Sequence, residues 1–327
     1  MNFIISALFV ALSVARHYLI LLDEGCMQGK SIVITGSSSG FGRAVAVRAY
    51  ALGATVYAGC NRMQSVDELR AEYPDDPRMR PIKLNVSSEE DVAAAVEAAL
   101  SGGVPLHAVV NNAGISAFGW AEVLPIERHA QNIDVNYLGA VRMTRAFLPH
   151  LREAHGRLVN MGSIGARMPS AFGSSYLPAK AAMLSYSECV RQEVYRHGVH
   201  VAYIEPGFFE TSLLSHASAN GAAHAANAAA KAPGSSGAPS CIVDPESRAA
   251  AYPSFEAKMA KTTEQIRTFE RLNGDAAGVA HVVAATVDAL CNRVPLTRYT
   301  VGVDAWLMRY VLVWLPDRLV DLAQTYL

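Results

Sequence analysis

The sequence predicts an α/β fold in which a parallel sheet carries helices on both faces, the doubly wound arrangement. Short, continuous runs of Val, Ile and Leu alternate with longer helical patterns, as parallel strands buried on both faces require. The strand-like runs are Ser31–Thr35, Thr55–Ala58, Pro81–Val86, His107–Val110, Arg157–Met161, Val199–Ile204 and Tyr299–Val301. A chain of 327 residues suits one such domain, over residues 28–305, with additions at both ends.

A glycine-rich turn follows the first predicted strand and opens the first helical pattern. Gly36, Gly40 and Gly42 allow the backbone to approach a pyrophosphate at a helix N-terminus, where free N–H groups and the helix dipole favour anions. The same turn contains Ser38, Ser39 and Phe41. The turn therefore predicts a dinucleotide site in a single Rossmann-type domain.

Four polar residues follow in a fixed order: Asn136, Ser163, Tyr176 and Lys180. Tyr176 and Lys180 are spaced to share one face of a helix, and Pro178 between them is tolerated only in the first turn of that helix or at a local bend. A free phenol, with a pKa near 10, needs a nearby ammonium and a positively charged nicotinamide to lower that pKa. Tyr176 is then expected to be the general acid in carbonyl reduction and the base in alcohol oxidation.

These motifs together resemble the short-chain dehydrogenase/reductase family over about Lys30 to Val303. The resemblance rests on the glycine turn, the four polar residues, Asn111–Gly114, and Pro206–Gly207 followed by Thr211. Within the family, the stretches Ile204–Thr211 and Arg298–Asp304 look most like retinol and 17-beta-hydroxysteroid dehydrogenases.

The resemblance implies a role for each matching residue. Ser163 would hold the substrate oxygen, Lys180 would also bond the nicotinamide ribose, and Asn136 would hold a water that links the lysine to solvent. The expected cofactor contacts also include Asn112, Ala113, Gly114, Tyr176, Pro206, Gly207 and Thr211.

The choice of cofactor depends on the end of the second strand. NAD enzymes place a carboxylate there for the ribose 2′-hydroxyl, whereas a 2′-phosphate needs cations and donors. No acid occurs from Gly59 to Arg62, and Asn61, Arg62 and Ser39 supply donors, so NADP is favoured over NAD. The family usually has Asp where this chain has Asn85, beside Val86, and an amide at this adenine contact can still hydrogen-bond.

Composition excludes some other classes of function. A formal charge of minus 1 and a pI near 6.8 provide no basic surface for nucleic acid. The histidines lack ligand-like spacing with acids or cysteines, so no metal site is expected. The 5 cysteines are widely spaced, which favours reduced thiols, with Cys60 and Cys189 in apolar surroundings that suggest burial.

Residues 1–25 contain a run, Phe3–Leu22, that is apolar except for two serines and is broken only by Arg16 and His17. Twenty residues would span a bilayer, so a membrane anchor is favoured over a signal segment or an apolar helix packed on the domain. The expected location is therefore a membrane, that of the endoplasmic reticulum, with the cytoplasm as the alternative.

Two further segments depart from the strand–helix alternation. Residues 215–240 are rich in Ala, Ser, Gly and Asn and read as a flexible insertion beside a substrate-covering loop. In the 306–327 tail, Trp306–Leu315 is too short to span a bilayer. That run reads as core or as a contact between subunits, which would allow a homodimer, or alternatively as a membrane-interface patch.

The leading hypothesis is an alcohol dehydrogenase or carbonyl reductase that acts with NAD(P) on a lipophilic substrate such as a steroid, retinoid or fatty aldehyde. A catalytically silent nucleotide-binding scaffold is the alternative from another class of protein. A reductase of small polar carbonyls or acyl thioesters is the alternative among enzymes.

Overall fold

The computed structural model describes residues 26–74, 76–122, 124–209, 264, 275–311, 314 and 316. The predicted membrane anchor, Thr211 and the predicted insertion at 215–240 lie outside these residues. The described strands are β1 Ser31–Thr35, β2 Thr55–Cys60, β3 Met79–Lys83, β4 Leu106–Asn111, β5 Arg157–Met161, β6 His200–Pro206 and β7 Arg298–Val301.

The strands form one parallel sheet in the order β3-β2-β1-β4-β5-β6-β7. This arrangement confirms the predicted doubly wound fold. The first and fifth strands match the predicted runs, whereas β3 ends at Lys83 instead of Val86. It ends early because Asn85 begins a turn in which its side-chain oxygen accepts a hydrogen bond from the Ser87 N–H, at 3.1 Å.

The helices within the described residues are α1 Gly40–Ala51, α2 Met63–Glu72, α3 Glu89–Ser101, α4 Ile126–Ile133, α5 Gly139–Glu153, α6 Tyr176–Val194, α7 Asp275–Cys291 and α8 Val303–Tyr310. A π-helical turn, Asp134–Leu138, joins α4 to α5, and 3-10 turns occur at Ile164–Ala166 and Tyr195–His197. No helix in this part of the chain combines the length and the apolarity needed to cross a bilayer.

Alternate side chains of the strands enter two apolar cores on opposite faces of the sheet. Ile32, Ile34 and Ile204 belong to the core that packs on α1, α2 and α7. Val33 and Leu158 belong to the core beneath α3, α5 and α6. This alternation explains why the strand sequences are apolar throughout instead of alternating with polar residues.

Three buried polar side chains fix α6 against the sheet. The Asn111 amide on β4 donates to the Asn160 side-chain oxygen on β5 at 2.9 Å, and the Asn160 amide donates to the Ser187 hydroxyl on α6 at 2.9 Å. Ser187 in turn donates to the Met183 carbonyl at 2.6 Å. Because buried polar groups are costly unless they are paired, this relay favours one register of α6 on the sheet.

The edge at which the strands begin holds the C-terminal end of α7. Arg157 is 8% exposed and donates to the carbonyls of Ala289 at 2.8 Å and Asn292 at 2.5 Å. The His107 ring lies 2.9 Å from the Leu290 carbonyl, and burial lowers the pKa of His107 to about 4. A cation and a neutral imidazole donor thus satisfy helix carbonyls that have no intrahelical partner.

At the same edge, Cys26 and Cys291 form a disulfide across a sequence separation of 265 residues, with their Cα atoms 5.8 Å apart. The prediction of reduced thiols was wrong for this pair. The predicted burial is confirmed for Cys60 but wrong for Cys189, which is exposed. Cysteine spacing could not reveal the pair, because the topology of the sheet brings its two members together.

Replacing both Cys26 and Cys291 with Ser should lower the free energy of unfolding by about 2 to 4 kcal/mol, since the link restricts the unfolded chain. Unfolding by urea, with and without reductant, measures this loss in detergent-purified protein. Cys189→Ser is the matched control and should leave the midpoint unchanged. Wild-type stability of the double variant, or free thiols at both positions in non-reduced protein, would contradict this prediction.

Candidate active site

The glycine-rich turn lies between the end of β1 and the start of α1, and its shape requires glycine at two positions. A Cβ on Gly36, where φ is +69°, would lie 2.8 Å from the Ala113 Cα. A Cβ on Gly42 would lie 2.3 Å from the Gly36 carbonyl oxygen. Side chains at these positions would force the turn away from β4, so only glycine lets a ligand reach the backbone here.

The N-terminus of α1 suits an anion. Its N-cap residue, Ser39, makes no side-chain capping bond, and no acidic residue occurs in the first turn. Ser38 is half-buried and Ser39 is exposed. Phe41 packs edge-on against Phe209, with 6.0 Å between ring centroids. The predicted pyrophosphate site therefore fits the residues present.

Thr35, which the sequence reasoning missed, ties this turn to β4. Its hydroxyl oxygen accepts from the N–H groups of Asn112 at 2.9 Å and Ala113 at 2.8 Å. The Asn112 amide donates back to the carbonyls of Thr35 at 2.9 Å and Gly36 at 3.1 Å. This contact lies at the point where the strand order reverses, which is where doubly wound sheets bind ligands.

The adenosine side of the crevice holds the residues predicted from the second and third strands. Asn61 and Arg62 are exposed just beyond β2, and Arg62 is the N-cap residue of α2. Asn85 and Val86 follow β3, with the Asn85 N–H donating to the Asp91 carboxylate at 2.7 Å. The Asn85 side-chain oxygen is already bound within its own turn, so its amide NH₂ group is the part suited to meet an adenine.

The polar residues predicted for catalysis lie together at the ends of β5 and α6. Tyr176 is the first residue of α6, which confirms that Pro178 falls in the first turn. The Tyr176 phenol is hydrogen-bonded to the side chain of Ser163. Lys180, one turn further on, places its Nζ 5.6 Å from the Tyr176 ring centroid and donates to the Met161 carbonyl at 2.9 Å.

Burial dominates the electrostatics of this group. It raises the pKa of Tyr176 above its ordinary value of 10, and the hydrogen bond from Ser163 offsets only part of that rise. The same burial lowers the pKa of Lys180 from 10.5 to about 8. In the protein alone the phenol pKa is raised, because desolvation outweighs the hydrogen bond from Ser163, and the lowered pKa expected beside a bound nicotinamide stays a prediction.

Asn136 lies in the π-helical turn before α5 and supports the loop after β4. Its side-chain oxygen accepts from the Ile115 N–H at 3.0 Å, and its amide donates to the Ile115 carbonyl at 2.9 Å and to Asn132 at 3.0 Å. A Cβ on Gly114 would lie 2.7 Å from the Asn136 oxygen and 3.8 Å from the Lys180 Nζ. Asn136, Gly114 and Lys180 therefore occupy one compact site, at a π-turn of the kind common at functional sites.

Pro206 ends β6, and the following residues are held by α8. The Gly207 N–H donates to the Val301 carbonyl at 2.8 Å, and a Cβ on Gly207 would lie 2.2 Å from the Asp304 carboxylate. Asp304, which the sequence reasoning missed, accepts from the Phe208 N–H at 2.6 Å. Its signal in the sequence was a single acid shortly after the last strand.

The short C-terminal helix is more exposed than its sequence suggested. Trp306, Leu307, Tyr310 and Val311 are about two-fifths exposed, and Trp314 is 82% exposed. Their exposure excludes a core position for these residues, because α8 packs through Asp304 and Ala305 instead, and a contact between subunits or with a membrane stays a prediction. Among the residues that the structure describes, no cluster of His, Cys, Asp and Glu could hold a metal.

Comparison with known proteins agrees with this geometry. Residues 30–221 match the family model described as short chain dehydrogenase. Mouse retinol dehydrogenase 16 is 33% identical over 90% of this chain and 87% of that protein. Mouse mitochondrial D-beta-hydroxybutyrate dehydrogenase is 40% identical over 57% of each chain, and bovine 17-beta-hydroxysteroid dehydrogenase type 6 is 37% identical over 57% of this chain and 59% of that one. The matches thus span less than two thirds of the last two relatives.

Two solved structures have a fold similar to that of this chain. A short-chain dehydrogenase from Streptomyces avermitilis is 30% identical, covers 85% of this chain and 89% of its own, and has a TM-score of 0.64. A 3-ketoacyl-(acyl-carrier-protein) reductase from Brucella melitensis, complexed with NADH, is 32% identical over 58% of this chain and 79% of its own, with a TM-score of 0.55. The chain belongs to the short-chain dehydrogenase family.

Proposed function

We propose that this protein interconverts a lipophilic alcohol and its carbonyl with a nicotinamide cofactor, NADP in preference to NAD, and that Tyr176 is its general acid and base. The observation that carries the proposal is the hydrogen-bonded pair of Tyr176 and Ser163 above the buried ammonium of Lys180. This group lies at the same sheet edge as the glycine turn, so a reacting carbon and a nicotinamide can meet there.

The cofactor supplies or accepts a hydride when bound. The protein's own task is to place the substrate oxygen and to move one proton. Ser163 holds the oxygen, and the Tyr176 phenol gives its proton in reduction and takes one back in oxidation. Because burial makes the phenolate costly, the ammonium of Lys180, which stays mainly protonated at neutral pH, is needed close by.

Aromatic side chains beside Tyr176 support a lipophilic substrate. The Phe118 ring lies 5.7 Å from the Tyr176 ring, and Trp120 packs edge-on against Phe172 at 4.6 Å. These rings come from the loop after β4 and the loop before α6, which both reach the catalytic tyrosine. The retinol and hydroxysteroid dehydrogenases among the relatives act on substrates of this class, as their names state.

The location that we propose is a membrane, in an oxidising compartment such as the lumen of the endoplasmic reticulum. The apolar run Phe3–Leu22 supports the membrane. The disulfide between Cys26 and Cys291 supports the compartment, because cytosolic thiols are kept reduced. The cytoplasmic alternative would need this pair to stay reduced.

A small hydroxy acid is the second candidate substrate. It is favoured by the identity of 40% to D-beta-hydroxybutyrate dehydrogenase over the matched part of the chain.

Tyr176→Phe should reduce turnover by about 10² to 10⁴, because it removes the transferable proton while keeping the ring. Cofactor affinity, measured by the fluorescence of the bound reduced cofactor, should barely change. Tyr195→Phe, at a tyrosine that is 78% exposed, is the matched control. A Tyr176→Phe enzyme that keeps a tenth of wild-type turnover would rule out this role, and wild-type cofactor binding without any turnover would favour the scaffold alternative.

Arg62→Ala should weaken NADPH binding by about 1.5 to 3 kcal/mol, the usual value of a charge-assisted contact, and leave NADH binding nearly unchanged. Titration of each cofactor against the purified variants measures the difference. Arg70→Ala is the control, since Arg70 lies on the same helix but pairs with Asp67 at 3.0 Å. Equal losses for both cofactors, or a wild-type preference for NADH, would show that Arg62 does not select NADP.

Long-chain or polycyclic alcohols and ketones should have a higher kcat/KM than short polar ones, because apolar burial contributes about 25 cal/mol per Å². Steady-state kinetics on retinoids, steroids, fatty aldehydes and 3-hydroxybutyrate measures this preference. Higher kcat/KM for 3-hydroxybutyrate would select the second candidate.

Deletion of residues 1–22 should release the protein from membranes while it still reduces a soluble ketone. The truncated chain retains Cys26, so the disulfide can still form. Full-length protein that fractionates as freely soluble would exclude the proposed location.

A further inference from the structure

Glu205, the residue before Pro206 on β6, carries a carboxylate that is completely buried. One oxygen accepts from the Arg167 Nε at 2.8 Å. The other accepts from the Arg309 Nη1 at 2.7 Å and from the Thr300 hydroxyl at 3.1 Å. The donors come from the segment after Ser163, from α8 and from β7, so one carboxylate joins three elements around the crevice.

A bridge of this kind is a poor source of net stability. Burying the carboxylate and most of two arginine side chains costs desolvation energy that their attraction roughly repays, and apolar side chains of similar volume often do as well. The ionic bridge instead restricts geometry, because a guanidinium and a carboxylate form good hydrogen bonds in only a few relative orientations. We therefore expect the bridge to fix the positions of the groups to which it is attached.

The Arg167 end of the bridge is attached to the catalytic turn. Ser163 is the N-cap of the 3-10 turn Ile164–Ala166, with the Ala166 N–H bonded to the Ser163 carbonyl at 3.1 Å. The Arg167 N–H bonds to the Ile164 carbonyl at 3.0 Å. A guanidinium fixed on Glu205 therefore fixes the far end of the turn that begins at Ser163.

The near end of the same turn rests on Tyr203, two residues before Glu205 on β6. A Cβ on Gly162 would lie 2.0 Å from the Tyr203 ring, and the Tyr203 hydroxyl donates to the Lys180 carbonyl at 3.1 Å. Residues two apart on a strand face the same side of a sheet. Tyr203 and Glu205 thus support the catalytic turn from one strand, at its two ends.

We propose that Glu205 is a positioning residue for the reaction, acting on Ser163 through Arg167, and that Arg309 makes α8 part of the same unit. The inference rests on the proposed role of Ser163. It assigns to the C-terminal helix a part in active-site geometry, although that helix supplies no group to the chemistry.

A double-mutant cycle in kcat tests this proposal, with Arg167→Met and Ser163→Ala made singly and together. A group that acts through Ser163 has no further effect once the Ser163 hydroxyl is gone. Arg167→Met should lower kcat about tenfold, as a small misplacement of a catalytic group does. KM and cofactor affinity should stay within about twofold, and the same change in the Ser163→Ala background should cost less than about twofold.

Arg167→Lys, which keeps the charge, should restore part of kcat, and it replaces the Met variant in the cycle if that variant does not fold. Arg78→Met is the matched control, because Arg78 is half-buried and pairs with Asp76 at 2.7 Å just before β3, at the edge of the sheet away from the catalytic turn. Arg309→Met should lower kcat in the wild-type background and not in the Ser163→Ala background.

Several results would overturn the proposal. Losses in kcat that multiply in the double variant, or an equal loss in Arg78→Met, would reduce the bridge to a structural role. A rise in KM at unchanged kcat would assign Arg167 to substrate binding. Wild-type turnover in Arg167→Met together with a large loss in Ser163→Ala would overturn this inference alone, whereas wild-type turnover in Ser163→Ala would overturn the proposed role of Ser163 as well.

Discussion

The ammonium group of Lys180 is only 5% exposed, and its one hydrogen bond within the described residues is to the Met161 carbonyl at 2.9 Å. Burying a cation is costly, and here the cost is seen as a pKa that falls to about 8. Such a group stays in place only if the helix that carries it cannot move outward to hydrate it. The geometry of the active site therefore depends on how firmly α6 is held.

Two kinds of contact hold α6. The relay from Asn111 through Asn160 to Ser187 fixes the helix along its buried face, and Tyr203 bonds to the Lys180 carbonyl itself. Each contact begins on a strand and ends on α6, so the sheet acts as the reference frame for the catalytic groups. The same frame fixes the glycine turn through Thr35, which explains how two sites from distant sequence segments meet at one edge.

The sequence predicted the fold closely because strands buried on both faces leave a continuous apolar signal. Several strand ends differ slightly from the prediction, and the largest difference, at the end of β3, comes from the turn that Asn85 opens. The sequence also singled out Gly36, Ser163, Tyr176 and Lys180, which the structure brings to the same edge of the sheet. Thr35, Asp304 and the disulfide pair were missed because each acts across segments far apart in the chain. The raised phenol pKa of Tyr176 was also missed, because burial is a property of the folded chain and not of the local sequence.

The segments at the two ends of the domain are held at opposite edges of the sheet. Cys26 is linked to Cys291 at the edge where the strands begin, whereas α8 is attached through Asp304 and Arg309 at the edge where they end. The first link is covalent and lies away from the chemistry, so it can fix the domain without constraining the catalytic groups. The second consists of hydrogen bonds and ion pairs beside the crevice. A displacement of α8 at its exposed aromatic face would therefore shift Glu205 and the Ser163 turn. A displacement of Cys26 would instead be resisted by the disulfide and α7.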